Sequence, residues 1–209
     1  MSFGKLNPRT SILLLIMVVV ASLRLLTHFT THLNPISNFT PLGAMALFGG
    51  AYFKGKMKPF LFPLLTLFIS DVILSFTVYS SFRTGLLYAG WYWTYAAFGL
   101  MALAGKMLIK EVNMKSVLVS ILAITLIHWL VSDIGGCLDQ KTTEAIFSVY
   151  GLRLIAAIPY ELDFLGGTLI YGTLMFGSFE WIQRKFPKLK PGIKGIHPVL
   201  NDPIQLQHV

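Results

Sequence analysis

The chain has 209 residues, of which 55% are hydrophobic and 12% are charged. Its mean hydropathy of +0.67 excludes an ordinary soluble domain and predicts an integral membrane protein surrounded by the lipid bilayer. The formal net charge of +8 is compatible with nucleic-acid binding, but the basic residues form short clusters between apolar segments. We therefore interpret them as topology signals and expect no nucleic-acid partner.

Charge-poor segments predict six transmembrane helices and hence an all-α, polytopic membrane protein. In chain order they are residues 10–30, 41–53, 59–80, 84–105, 116–133 and 164–183. Residues 145–160 are apolar apart from Arg153, which predicts an additional interfacial or re-entrant helix on the outer side, ended by Pro159. We assign residues 1–185 to the six-helix transmembrane domain and residues 186–209, with their prolines and lysines, to a cytoplasmic tail.

The lysines and arginines predict the orientation of these helices. Thirteen of the 17 fall in segments that are cytoplasmic if the N-terminus is cytoplasmic. Loops on the cytoplasmic side carry an excess of Lys and Arg, so both termini are expected in the cytoplasm.

The second segment is too short to cross a membrane alone. Thr40 is a candidate N-cap, Pro41 suits the first helical position, and Lys54 closes a helix of 13 residues. Such a helix spans about 20 Å of a hydrocarbon core about 30 Å thick. Its polar start should therefore lie at membrane depth, where non-helical backbone is tolerated if it lines a cavity. We expect that cavity on the outer side.

Three ionisable residues fall at similar depths in different predicted helices. Arg24, Asp71 and His128 each lie past the middle of a segment that runs from inside to outside. Ionisable groups in membranes usually pair or line a polar pathway. We expect an ion pair between Arg24 and Asp71, with His128 as a candidate third member. Such a pair either contributes to a ligand site or only holds helices together.

The outer ends of the predicted helices add further polar and aromatic candidates. Trp91 and Trp93 either belong to an aromatic belt at the interface or stack on a flat ligand. Together, the candidate substrate-binding residues are Arg24, His28, Asn38, Thr40, Asp71, Trp91, Trp93, His128, Asp133 and Arg153. Cys137 is the single cysteine, and no Cys/His spacing indicates a metal centre, so we expect no cofactor and assign no metal ligands.

Four motifs resemble a family of uncharacterised bacterial integral membrane proteins. They are the run Asn38 to Phe53, Ser70 to Leu74, Ala156 to Pro159, and Phe164 to Gly167. The family in turn resembles the substrate-binding S components of energy-coupling factor transporters. This resemblance implies a bacterial cytoplasmic membrane location, an S-component-like bundle, and an outward-open pocket for a vitamin, cofactor precursor or metal ion. It also implies a transmembrane coupling subunit and ATPases as partners.

Three functions remain open. The leading hypothesis is binding and uptake of a small molecule, with ATP hydrolysis by partners because the sequence has no phosphate-binding GxxxxGK[ST] loop. The second is a structural or assembly protein in the membrane. The third is a membrane-embedded enzyme using Asp71, His128 and Asp133, but no catalytic signature supports it, and we do not expect an enzyme.

Overall fold

The computed structural model describes residues 7–31, 39–138 and 140–190. Within these ranges the helices are α1 (Pro8–Thr31), α2 (Leu42–Tyr52), α3 (Lys58–Phe76), α4 (Trp91–Leu108), α5 (Met114–Ser132) and α6 (Thr143–Lys185). Short 3-10 helices follow at Ser80–Phe82, Ile134–Cys137 and Pro187–Leu189. No β-strand is formed in the described ranges, so the all-α prediction is confirmed.

Four helices in the described part of the chain are long and apolar enough to cross a membrane: Pro8–Leu26, Lys58–Phe76, Met114–Cys137 and Thr143–Lys185. The prediction of six such helices is thus supported only in part. Helix α2 has 11 residues and reaches about 16 Å. Helix α4 begins with Trp91, Tyr92 and Trp93, whose polar atoms lower its hydropathy.

Helix α6 is continuous through Pro159 and contains 43 residues. The expectation that Pro159 ends a separate outer helix is therefore wrong. Proline removes one intrahelical hydrogen bond, but a chain in apolar surroundings has no water to replace those that a full break would expose. The turn before Pro159 is also held from α5, because Trp129 Nε1 donates to Leu154 O at 2.9 Å. At about 65 Å, α6 is twice as long as a bilayer core is thick.

Helix α2 lies at the centre of the bundle and packs against α3, α4 and α6. Small residues allow this close packing. A Cβ atom on Gly50 would come within 2.9 Å of Lys106 N, and one on Gly105 within 2.8 Å of Leu47 O. Because α2 and α4 approach backbone to backbone, there is no room for side chains at these positions.

The bundle has two ends, which we name from the residues that lie there. At the Arg9 end, Tyr52 donates to Glu180 Oε1 at 2.6 Å and closes the end of α2 against α6. Arg9 Nη1 donates to Gln183 Oε1 at 2.8 Å and to Leu189 O at 2.7 Å. The first residues of the predicted tail therefore return to the bundle. The opposite end, near Arg24, contains the cavity described below.

Replacement of Gly50 by alanine should destabilise the protein by about 1–3 kcal/mol, because the added methyl group would overlap the α4 backbone. The measurement is unfolding by denaturant in mixed micelles. Gly99→Ala is the matched control, since a Cβ atom there meets nothing within 4 Å in the described structure. A Gly50→Ala protein as stable as Gly99→Ala would contradict the close packing of α2 on α4.

Candidate binding cavity

A cavity of about 670 Å³ opens at the Arg24 end of the bundle. Residues of α1, α3, α4, α5 and α6, the start of α2, and the connection between α3 and α4 form its walls. Of the candidate binding residues, the structure brings Arg24, Thr40, Asp71 and His128 together in this lining. A cavity of this size is within the range that holds a small organic ligand.

The floor of the cavity is the start of α2. The helix begins at Leu42 after Pro41 as its N-cap residue, and no side chain caps it. The predicted cap, Thr40, and the predicted first residue, Pro41, are therefore wrong: both positions lie one residue later. Thr40 is buried, and its backbone lies against Gly167, where a Cβ atom would come within 2.7 Å of Thr40 O. This backbone contact with α6 holds Thr40 in place, although its side chain does not cap α2.

The predicted ion pair between Arg24 and Asp71 is formed. Arg24 Nη2 donates to Asp71 Oδ1 at 2.8 Å, and Arg24 Nη1 donates to Ser70 Oγ. Tyr95 donates its hydroxyl proton to the second oxygen, Asp71 Oδ2, at 3.2 Å. Both carboxylate oxygens of Asp71 are thus hydrogen-bonded, and the pair joins α1, α3 and α4. We call this pair a helix lock because it holds three helices together, and it also forms part of the cavity wall.

His128 pairs with Glu161 and not with the Arg24–Asp71 pair, which corrects its expected role as a third member. His128 Nδ1 lies 2.7 Å from Glu161 Oε1. The imidazole is also stacked on Phe164, with ring centroids 4.3 Å apart and planes within 10°. Both members of the pair line the cavity. The described cavity lining therefore contains two separate ion pairs.

Four other candidate residues lie outside the cavity lining. Trp91 is partly exposed and contacts Tyr95 edge-on, with ring centroids 5.2 Å apart. Trp93 is packed against the 3-10 helix at Gly135. Asp133 and Arg153 form an ion pair at 3.4 Å that is partly exposed and joins the end of α5 to α6. The Trp91 contact is within α4, whereas the contacts of Trp93, Asp133 and Arg153 join different elements.

Two candidates cannot be placed in the site. The side chain of His28 and the whole of Asn38 lie outside the described part of the chain. Among the described residues, no three His, Cys, Asp or Glu side chains gather as they would around a metal ion.

The candidate binding residues chosen from the sequence do not include Glu161 or the aromatic residues of the cavity. Glu161, Phe164 and Thr168 recur at helical spacing and share a face, a signal that requires the last helix to begin at or before Glu161. Tyr79 and Tyr88 come from the connection between α3 and α4, which turns at Gly85 and Gly90 with positive φ. Burial raises the pKa of Tyr88 to about 12, so its hydroxyl remains a hydrogen-bond donor at neutral pH.

Residues 4–189 match the model of a protein family described as "Family of unknown function (DUF6580)". The chain belongs to this family. The match covers all six described helices and every residue of the cavity lining. No curated protein matches the chain, and no solved structure does. The family assignment agrees with the expected uncharacterised membrane family and adds no link to transporter S components.

The Asp71→Asn variant should lose about 3 kcal/mol of stability, because the buried Arg24 guanidinium would lose its counter-charge. Denaturant unfolding in mixed micelles measures the loss. The double variant Arg24→Leu/Asp71→Leu should recover most of it, since it removes both buried charges. A double variant no more stable than Asp71→Asn would contradict the assignment of this pair as a helix lock.

Proposed function

We propose that this protein binds a small organic molecule in the cavity at the Arg24 end and takes part in its uptake across the bacterial cytoplasmic membrane. The observation that supports this proposal is the cavity itself, which contains two ion pairs in an otherwise apolar bundle. Ionisable groups are costly at membrane depth and commonly mark substrate pathways. A bundle with only a structural role would be more stable with this space filled by apolar side chains.

An arrangement like that of an energy-coupling factor S component fits the proposal. The short second helix leaves a cavity beyond its start, which would face outward with both termini in the cytoplasm, and the sequence has no GxxxxGK[ST] nucleotide-binding loop. In that arrangement a transmembrane coupling subunit and ATPases would supply the energy for uptake. The protein would act as the binding subunit, without catalysis.

The proposed orientation, with both termini in the cytoplasm, can be tested by cysteine labelling. Cys137 is buried and is the single cysteine of the chain, so a Cys137→Ser background is simple to prepare. Glu144→Cys, in the exposed first turn of α6, should react with an impermeant maleimide on intact spheroplasts. Lys188→Cys, exposed near the other end of α6, should react only after permeabilisation. The reverse pattern would overturn the orientation.

Ligand binding can be tested with a variant that fills the mouth of the cavity. Ala89 is exposed and lines the cavity, so Ala89→Trp should occupy ligand space at little cost in folding. A thermal-stability screen of the purified protein with vitamins, nucleobase derivatives and divalent ions should identify a ligand, because binding to the folded state stabilises it. Ala89→Trp should then lower the affinity for that ligand by at least about tenfold.

The matched control is Ala96→Trp, at an exposed position of α4 outside the cavity lining. It should bind the ligand as the unmodified protein does. Equal affinity in both tryptophan variants would place binding elsewhere, and a screen in which no compound stabilises a well-folded sample would contradict the proposed function.

A further inference from the structure

The two ion pairs of the cavity differ in how completely their oxygen atoms are bonded. Asp71 accepts hydrogen bonds on both oxygens, from Arg24 and Tyr95. Glu161 is bonded to His128 through Oε1, whereas Oε2 is buried and has no hydrogen-bond donor among the described residues. Glu161 as a whole is only 8% exposed. The Asp71 carboxylate is therefore satisfied by the protein, and the Glu161 carboxylate lacks one donor.

A buried carboxylate oxygen without a donor is energetically unfavourable, because it has lost its hydrogen bonds to water and gained none from the protein. Within an apolar bundle, bulk water provides little compensation. A donor that carries positive charge would remove the cost most fully, because charge-assisted hydrogen bonds are the stronger ones. Glu161 is therefore the place in the cavity where a ligand gains most from a positively charged N–H group.

The charges around Glu161 favour the same kind of ligand. Among the described residues, the charged and titratable groups that line the cavity are Arg24 from α1, Asp71 from α3, His128 from α5, Tyr160 and Glu161 from α6, and Tyr79 and Tyr88 from the connection between α3 and α4. Asp71 neutralises Arg24. The start of α2 adds about half a positive charge, which does not cancel Glu161. Among the described residues, Glu161 is thus the carboxylate of the lining with an oxygen that no side chain bonds.

Aromatic side chains form much of the remaining wall. Phe82, Tyr79 and Tyr88 come from the connection between α3 and α4, and Tyr160 and Phe164 come from α6. The faces of aromatic rings attract cations and also provide flat apolar contact area. The aromatic wall thus favours a ligand with a ring, and the Glu161 carboxylate favours a ligand with a positive charge.

We propose that the ligand of this cavity is an organic cation, whose ammonium or amidinium group donates a hydrogen bond to Glu161 beside His128. The proposal rests on the proposed function and specifies its ligand class.

The direct test compares three compounds with the same ring and different charge. Tryptamine is a cation, tryptophol is neutral and indole-3-acetate is an anion, and calorimetry on the full-length protein in detergent measures their binding. Tryptamine should bind at least about tenfold more tightly than the other two. Equal or tighter binding of tryptophol or indole-3-acetate would overturn the proposal.

Two variants assign the effect to the His128–Glu161 pair. Glu161→Gln should weaken tryptamine binding by at least about tenfold, while Glu144→Gln, the same substitution at an exposed position of α6, should leave it unchanged. His128→Gln retains the carboxylate, so it should keep the preference for the cation over the neutral and anionic compounds. Unchanged tryptamine binding in a folded Glu161→Gln protein would refute the proposal, and if Glu161→Gln does not fold, the His128→Gln result decides.

Failure of this proposal differs from failure of the proposed function. If the thermal-stability screen yields a neutral or anionic ligand that Ala89→Trp excludes, the uptake function stands and the cation class is wrong. If neither the screen nor the tryptamine series shows binding to a folded sample, both are wrong.

Discussion

The fold depends on an apolar helix that is too short to cross a membrane and is enclosed by other helices. Helix α2 is buried along almost its whole length, which is possible because glycine and alanine let α3, α4 and α6 approach its backbone. In a bundle of longer helices, a short central helix leaves space beyond its end. That space is the cavity, and the shortness of α2 is therefore the structural origin of the proposed site.

The two ends of α2 have different surroundings. At the Arg9 end, the space is filled by side chains, with Tyr52 bonded to Glu180 and Phe48 packed edge-on against Phe176 and Phe179. At the Arg24 end, the walls contain charged groups and the space remains open. Packing at the filled end stabilises the folded protein, whereas the buried charged groups at the open end are unfavourable for its stability. Such an asymmetry is expected when one end of a bundle binds a ligand.

The sequence was sufficient to predict features that depend on a local constraint or on the depth of a residue in the membrane. The unusual length of α2 followed from Pro41 and Lys54, and the Arg24–Asp71 pair followed from counting residues into each apolar segment. It was insufficient where tertiary contacts decided the outcome. Pro159 normally ends a helix, but contacts from α5 and the apolar surroundings keep α6 continuous. That error placed Glu161 in a connection and concealed its pairing with His128.

Continuity of α6 also explains why Glu161 lies at the cavity. Gly43, near the start of α2, packs against Phe164 and Thr168, so that this part of α6 runs alongside the first turn of α2. Glu161 lies on the same face, one turn before Phe164, and therefore extends past the point where α2 begins. A break at Pro159 would leave the orientation of Glu161 unconstrained. The unbroken helix fixes it in the wall of the space that α2 leaves open, where Oε2 has no donor among the described residues and is the group that the proposed cation would bind.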